Sequence, residues 1–222
     1  MQVQTSSLLE IIEALPPSST LLLQEVSWAE YEALLALLPD NPRFRLSYDR
    51  GTLQIMTTAP RHERLKSLFG HLLVALTEAL DLNLVGLGST TFKRADLARG
   101  LEPDDCYYIQ RAEWAAGRDV IDLTTDPPPD LVVEVDITHP SLDKCPIYAS
   151  LRIPEIWRYD DDTLQFFRLH GEQYRQTPAS DLFPWVPAAV LVDFMQQGAA
   201  RGIIPMIRAF RSWVHAHQPP KP

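Results

Sequence analysis

Two carboxylates interrupt the apolar segment DLVVEVDI at residues 130–137. Its valines and leucine are typical of a buried β-strand, yet Glu134 and Asp136 lie among them. A buried carboxylate without a partner costs several kcal/mol, so the fold must place a donor or a cation beside it. Because side chains alternate across a strand, Val132, Glu134 and Asp136 are predicted to share one face.

A second acidic segment, EPDDCYYI, precedes this one in the chain and is also predicted to be a strand. Its alternation puts Glu102, Asp104 and Cys106 on one side. If the two strands are neighbours, Asp104 and Glu134 converge, and two such carboxylates repel unless a cation joins them. Oxygen ligands favour Mg²⁺, with Mn²⁺ as its substitute, over zinc. We therefore predict a magnesium site here and no organic cofactor.

A lysine follows these carboxylates in the chain. Lys144 lies in a predicted helix that begins near Pro140 and that Pro146 would shorten or kink. It shares a helical face with Tyr148 and Leu151, so its ammonium is expected to point inward over the end of the Glu134 strand. Two carboxylates, a hard cation and a lysine suit the attack of a metal-activated water on a phosphodiester.

The elements that must position these residues follow a mixed pattern of helices and strands. Residues 27–30 form a capping box that begins a helix, which Pro39 to Pro42 end. A hairpin turning at Asp49-Arg50-Gly51 comes next, and a long amphipathic helix follows from Pro60 to Asp81. Further predicted elements are strands over NLVGLGSTTFK, EIWRYD and TLQFFRLHG and two short helices after Pro187. This order predicts a mixed α/β (α+β) fold with a central mixed β-sheet flanked by α-helices.

Length and composition describe an ordinary globular chain. With 222 residues, 45% hydrophobic and 22% charged, we predict one domain over residues 27–216, an N-terminal extension over 1–26 and a frayed tail over 217–222. The sequence starts without a secretory leader and has no apolar run long enough to span a bilayer. Cys106 and Cys145 lack metal-site or disulfide-framework spacing, which favours a reduced, cytoplasmic setting.

Charge is distributed unevenly along the chain. The net charge of −9 argues against a polyanionic partner. Residues 1–40, however, contain acidic residues and no Lys or Arg, whereas residues 41–70 carry an excess of basic residues. Net charge therefore neither establishes nor excludes nucleic acid as a partner.

The acidic segments together resemble a known family. EPDDCYYI followed by DLVVEVDITHPSLDK, Tyr148 and EIWRYD is similar to the Uma-type family of restriction endonuclease-like proteins, formerly a domain of unknown function, in the PD-(D/E)XK nuclease superfamily. The resemblance extends from about Trp28 to Trp213. It implies a restriction-endonuclease-like core that cuts DNA with Mg²⁺, and a homodimer that pairs two active sites.

The resemblance also implies roles for individual residues. Asp104 corresponds to the motif aspartate and Glu134 to the acid of the (D/E)XK element, with the Val135 carbonyl as a further metal contact. The lysine normally stands two residues after the acid, where this chain has Asp136, which is expected to support the metal or act as a second ligand. The resemblance suggests that the lysine has moved to Lys144. A helix-borne acid, common in the superfamily, would be Glu63 in RHERLK.

Simpler interpretations stay open from sequence. Glu134 could pair with an arginine such as Arg94 or Arg152, and Glu63 could belong to a solvated first turn. Besides a Mg²⁺-dependent DNA endonuclease, the same residues allow an inactive nuclease fold that binds DNA or a protein partner, or a metal hydrolase of small phosphates. A basic, open cleft would favour nucleic acid, and its candidate residues are Arg43, Arg45, Arg61, Arg64, Lys66 and Lys93.

Overall fold

A computed structural model describes residues 5–38, 43–136, 142–160 and 162–220, with side chains from residue 8 onward. Its helices are α1 (Thr5–Glu13), α2 (Trp28–Leu37), α3 (Pro60–Leu80), α4 (Ala112–Ala115), α5 (Cys145–Ser150), α6 (Ala188–Arg201) and α7 (Ile203–His217). Its strands are β1 (Thr20–Leu23), β2 (Phe44–Asp49), β3 (Thr52–Thr57), β4 (Val85–Gly86), β5 (Phe92–Arg94), β6 (Arg99–Leu101), β7 (Asp105–Tyr108), β8 (Leu131–Asp136), β9 (Glu155–Asp160), β10 (Thr163–His170) and β11 (Gln173–Thr177).

The strands form two sheets. The central sheet has the order β11-β10-β9-β8-β7-β4, in which β8 and β9 are parallel and the other neighbours antiparallel. This mixed sheet, flanked by helices, confirms the predicted fold class. The second sheet is antiparallel with the order β1-β3-β2-β6-β5. The predicted hairpin β2–β3 belongs to it and turns at Arg50 and Gly51, both with the positive φ that a tight hairpin turn requires.

The two faces of the central sheet bury different helices. One face of β8 places Leu131, Val133 and Val135 in a core cluster with residues of α3, α6 and α7. The opposite face places Val132 in a cluster with Ile147 and other residues of α5. Because side chains alternate, Glu134 lies on the α5 face of the sheet. The strand is therefore buried on both sides, which explains its nearly continuous run of apolar residues.

Helix α5 is shorter than the sequence pattern predicts. It begins at Cys145 with Pro146 in its first turn, where a missing N–H costs nothing. Lys144 is the N-cap residue and not part of the helix interior, which corrects the prediction. The Tyr148 N–H still donates to the Lys144 carbonyl at 3.0 Å, so the predicted alignment of these two residues holds. The predicted helix start at Pro140 and the predicted helix end at Pro39–Pro42 lie outside the described residues.

Helix α3 agrees closely with the prediction. It starts with Pro60 after Ala59, which provides no side-chain cap, and ends at Asp81 in the left-handed region. Its predicted apolar stripe is buried against the central sheet and the two C-terminal helices. His62, in the first turn, is buried as well, with 5% of its surface exposed. The first turn of α3 is therefore anchored to the protein interior.

Several elements were not predicted from sequence. The segment predicted as one strand before EPDDCYYI divides into β4 and β5, and the chain forms the short helix α4 and the extra strand β11. The closing pair β9–β10 and the two C-terminal helices are as predicted. Within the described residues, no helix combines the length and the apolar character needed to cross a membrane.

Residues of the predicted N-terminal extension belong to the second sheet. Strand β1 pairs with β3, and Ile12 of α1 is fully buried beside Tyr31 and Leu34. Removing residues 1–26 deletes this strand and uncovers apolar surface, so we expect thermal unfolding to occur at a lower temperature. We expect Mn²⁺ binding to persist, because none of the predicted ligands lies in the deleted segment. Calorimetric titration of the truncated chain checks this; loss of Mn²⁺ binding with a native circular dichroism spectrum would contradict it.

Candidate active site

Asp104 and Glu134 lie opposite each other where β7 begins and β8 ends. In the antiparallel ladder Asp105 pairs with Val133, so the next pair along the two chains is Asp104 with Glu134. Opposite residues of such a pair have side chains on the same face and close together. Asp104 is 0% exposed and Glu134 is 4% exposed. Two buried carboxylates thus share the α5 face of the central sheet.

The two oxygens of Asp104 have different surroundings. Oδ2 accepts a hydrogen bond from the Val135 N–H at 2.8 Å. His62 Nε2 lies 3.0 Å from the same oxygen, at ion-pair distance although not aligned for a hydrogen bond. Oδ1 is buried, and no donor in the part of the chain that the structure describes reaches it. An anionic oxygen left open in the interior is costly unless a cation occupies the space beside it.

Both oxygens of Glu134 accept hydrogen bonds from α5 and its N-cap. Lys144 Nζ donates to Oε2 at 2.6 Å, and the Tyr148 hydroxyl donates to Oε1. Lys144 is 9% exposed, so its ammonium points inward as predicted. The alternative arginine partners lie elsewhere: Arg94 pairs with Asp96, and Arg152 donates to the Gly171 carbonyl. The lysine that follows the strand therefore neutralises the buried glutamate.

Asp136 and the Val135 carbonyl lie at the end of β8. Asp136 Oδ2 accepts from Arg158 Nε at 2.5 Å, so this carboxylate is paired to the neighbouring strand. Asp136 and Glu134 line a cavity of about 50 Å³ together with Lys144 and Arg158. Since the N–H and C=O of one strand residue point to the same side, the Val135 carbonyl faces the Asp104 side, as its N–H does. The structure thus pairs Asp136 with Arg158, next to the carboxylate pair.

Glu63 is not brought into contact with the carboxylate pair. Its side chain is 37% exposed, and it pairs with Lys66 at 2.8 Å and Arg45 at 3.5 Å. Its neighbour His62 is the α3 residue that reaches Asp104. A sequence signal for this existed, because His62 precedes Leu65 by three residues and therefore lies on the buried stripe of α3.

The electrostatics of the site reflect an excess of negative charge. Burial, opposed by Lys144 but reinforced by Asp104 and Asp136, raises the pKa of Glu134 to about 7. Burial would also raise the pKa of Asp104, but His62 and Lys144 outweigh it and hold that pKa below its usual value. Burial lowers the pKa of Lys144, yet the surrounding carboxylates raise it by more. Lys144 stays an ammonium and leaves the carboxylates only partly compensated.

The same carboxylates also change the pKa of the His62 imidazole. Burial lowers its pKa, but Asp104 and, more weakly, Glu63 raise it by more, so the net pKa of His62 lies above its ordinary value. The Tyr148 phenol has a raised pKa because burial and the adjacent Glu134 disfavour the phenolate. Tyr148 therefore stays a neutral phenol that donates to Glu134, and the raised pKa of His62 favours its protonated form beside Asp104.

The donor set suits magnesium better than zinc. Over residues 5–38, 43–136, 142–160 and 162–220, no cluster of three or more His, Cys, Asp or Glu side chains is placed to hold a metal. The oxygens at hand are those of two carboxylates and one backbone carbonyl. Mg²⁺ commonly binds through one or two carboxylates and fills its other positions with water and substrate phosphate. The open Oδ1 of Asp104 makes the residues present compatible with such an ion.

Comparison with known proteins places most of the chain in one family. The Uma2 family, described as "Putative restriction endonuclease", matches residues 28–194. The chain therefore belongs to the Uma2 family, which confirms the resemblance; the match begins at Trp28 as expected and ends within α6. The class that fold and family define is that of the restriction endonuclease-like proteins.

Among solved structures, the chain is similar to one from Anabaena variabilis described as "a putative nuclease belonging to DUF820". The two are 11% identical, the alignment covers 82% of this chain and 99% of that one, and the TM-score is 0.44. No curated protein matches the chain at a significant level.

Proposed function

We propose that this protein is a Mg²⁺-dependent DNA endonuclease that hydrolyses phosphodiester bonds. The observation that carries the proposal is the buried Asp104 with one open oxygen, opposite a Glu134 that is bound to a buried lysine. Most buried polar atoms in proteins have a partner, either a protein group or an ordered water, so a buried carboxylate oxygen without a protein donor calls for one. The family to which the chain belongs is described as "Putative restriction endonuclease", in agreement with this chemistry.

The proposed metal ligands are Asp104, Glu134 and the Val135 carbonyl. Asp136 is better placed to hold Arg158 beside them, because its Oδ2 is already bound to that guanidinium. When bound, the divalent cation would lower the pKa of a water nucleophile and screen the charge of the phosphate.

Lys144 is proposed to stabilise charge at the reacting phosphate. It remains an ammonium in the interior, held by Glu134 Oε2 at 2.6 Å, and it lies on the α5 side of the carboxylates. A fixed positive charge in a site of low dielectric stabilises developing negative charge more than it would in water. Tyr148 keeps Glu134 in place by donating to its other oxygen.

A small-phosphate hydrolase is less well supported. The cavity beside Glu134 and Lys144 measures about 50 Å³. A cavity of this size has room for a few water molecules but does not enclose a phosphate ester. An extended polymer that lies across the protein surface needs no such enclosure, so a nucleic acid agrees better with this geometry.

The basic residues near the site divide into two groups. Arg45, Lys66 and Lys93 pair with glutamates, and Arg43 donates to the backbone carbonyls of Glu13 and Leu15. Arg61 and Arg64, by contrast, are exposed on the first turn and a half of α3 and form no ion pair with any described residue. They lie on either side of the buried His62 in the sequence, on the solvent-exposed side of the start of α3. These two arginines are the proposed phosphate contacts.

Replacing both Arg61 and Arg64 with alanine should weaken DNA binding without sequence preference. Each lost phosphate contact should lower the slope of log K against log salt by about 1, so the double variant should lose about 2. The control replaces Arg175, on the far edge strand β11, and Arg201, at the end of α6; both are exposed. Fluorescence anisotropy over a salt series measures the slopes. Equal slopes for the two double variants would contradict the assignment.

The test of the proposed function is a cleavage assay on supercoiled, linear and single-stranded DNA with Mg²⁺, Mn²⁺ or a chelator. Wild type should convert supercoiled DNA to nicked or linear forms with the metals and not with the chelator, and Asp104→Ala should be inactive. A homodimer, which we propose because two sites would then cut both strands, predicts linear product. Mg²⁺-independent cleavage, or equal cleavage by Asp104→Ala, would overturn the proposal.

One observation favours a second candidate, a nuclease fold that binds DNA or a protein partner without cutting. Both oxygens of Glu134 already accept hydrogen bonds, from Lys144 and Tyr148, and Asp136 stands where the superfamily usually has its lysine. In that case the buried ion pair replaces the metal. DNA binding that survives chelation, with no cleavage under any of the conditions above, would establish this candidate instead.

A further inference from the structure

His62 is a buried imidazole wedged between two carboxylates. Its Nε2 lies 3.0 Å from Asp104 Oδ2, and its Nδ1 lies 3.5 Å from Glu63 Oε1. The side chains of His62 and Asp104 are 6% and 1% exposed, whereas that of Glu63 is 37% exposed. The imidazole therefore contacts one interior and one surface carboxylate from the first turn of α3.

Packing alone does not explain a histidine at this position. Apart from Thr77 near the end of the helix, every other buried residue of α3 is apolar, beginning with Leu65 and Leu68. Burying a polar ring whose nitrogens lack aligned hydrogen bonds costs free energy that a leucine would not cost. The contact with Asp104 is the interaction that offsets this cost.

The contact affects the two oxygens of Asp104 unequally. The Val135 N–H, from β8, and His62, from α3, both reach Oδ2. Oδ1 receives no hydrogen bond from any residue that the structure describes. One hydrogen bond and one imidazole at ion-pair distance, from different elements, hold this oxygen and leave the carboxylate little freedom to rotate, so the other oxygen keeps its orientation.

We propose that His62 is the positioning residue of Asp104, which it holds by Oδ2 so that Oδ1 stays available to the divalent cation. The inference rests on the proposed function and adds to it a role for a residue outside the family motif quoted above. Outer partners of metal ligands fix the ligand orientation, and their loss typically lowers metal affinity by about 10- to 100-fold. Hydrogen bonds in an active site without its ligands are often poorly aligned and become shorter and straighter when the ligands bind. The 3.0 Å distance from His62 Nε2 to Asp104, without hydrogen-bond alignment, agrees with this.

The experiment titrates Mn²⁺ calorimetrically into the full chain after chelator treatment and dialysis. His62→Leu keeps the apolar volume but removes the donor. His62→Gln can place an amide N–H where Nε2 was, whereas His62→Asn is too short to reach Asp104. His71→Leu is the matched control, because His71 lies on the same helix and outside the site. Circular dichroism and thermal unfolding verify that each variant is folded.

We expect His62→Leu and His62→Asn to bind Mn²⁺ about 10- to 100-fold more weakly than wild type, and His71→Leu to bind like wild type. His62→Gln should recover most of the lost affinity, which a residue with only a packing role would not produce. Wild-type affinity in folded His62→Leu or His62→Asn overturns the inference, as does a His62→Gln that binds no better than His62→Asn. A wild type that binds no Mn²⁺ at all overturns the proposed metal-dependent function itself, so the two failures are distinguishable.

Discussion

Replacing Lys144 with alanine is expected to slow DNA cleavage by about a hundredfold or more while Mn²⁺ binding remains measurable. That factor is the usual scale for one group that transfers a proton or stabilises charge in a transition state. The structure places the Lys144 ammonium in the interior, 2.6 Å from Glu134 Oε2. The simpler alternative is a solvated lysine that pairs with Asp143 or Glu155. In the structure Lys144 is buried, and Glu155 accepts hydrogen bonds from Trp157 and the Asp181 N–H instead.

The stability of this variant must be followed separately from its activity. Removing one partner of a buried ion pair typically costs about 3–5 kcal/mol, because the remaining charge is left uncompensated. The double variant Lys144→Ala with Glu134→Gln removes both charges and should recover part of that loss. Thermal unfolding measures the stability. Single-turnover cleavage, at a temperature well below the midpoint of thermal unfolding, measures the rate.

Arginine should be a poor replacement for Lys144. Its planar guanidinium is larger than an ammonium and donates its hydrogen bonds in a fixed geometry. The buried position beside Glu134 Oε2 is occupied by the compact ammonium of Lys144. We expect Lys144→Arg to keep the fold better than Lys144→Ala and yet to cleave almost as slowly. A Lys144→Ala variant that is stably folded and cleaves at the wild-type rate would remove Lys144 from the mechanism.

Changing Asp104 to asparagine should weaken Mn²⁺ binding by more than about a hundredfold and abolish detectable cleavage. Asparagine has the shape of aspartate, and its oxygen can still accept from the Val135 N–H, so the end of β8 should keep its position. What is lost is the negative charge and the open oxygen. Loss of a direct ligand should exceed the roughly 10- to 100-fold effect of losing an outer partner.

The matched control for this variant is Asp105→Asn. Asp105 is the next residue along the strand, on its opposite face, and accepts from the Tyr107 hydroxyl at 2.5 Å and from the Cys106 N–H. The same chemical change there should leave Mn²⁺ affinity near the wild-type value. Calorimetric titration of both variants gives the comparison. Equal losses for the two would show that overall charge, and not a site at Asp104, governs metal binding.

The sequence by itself determined the parts of the site that depend on local periodicity. The alternation of β-strand side chains put Asp104 on one face of its strand and Glu134 on one face of the next. The spacing of four residues aligned Lys144 with Tyr148, and this alignment survives although the helix begins later than predicted. The motif also identified the family, because the short spacings between its residues can be recognised in the sequence without knowledge of the fold.

Only the tertiary structure decided which of these residues meet residues from distant segments. That His62 and not Glu63 reaches Asp104 depends on how α3 is rotated against the central sheet, and neighbouring helix positions point in different directions. That Asp136 pairs with Arg158 follows from the parallel pairing of β8 with β9. The assignment of the β2–β3 hairpin to a separate sheet likewise depends on pairing with β6. The order of the strands and the rotation of the helices depend on contacts between segments that are far apart in the chain. A local sequence pattern therefore cannot predict them.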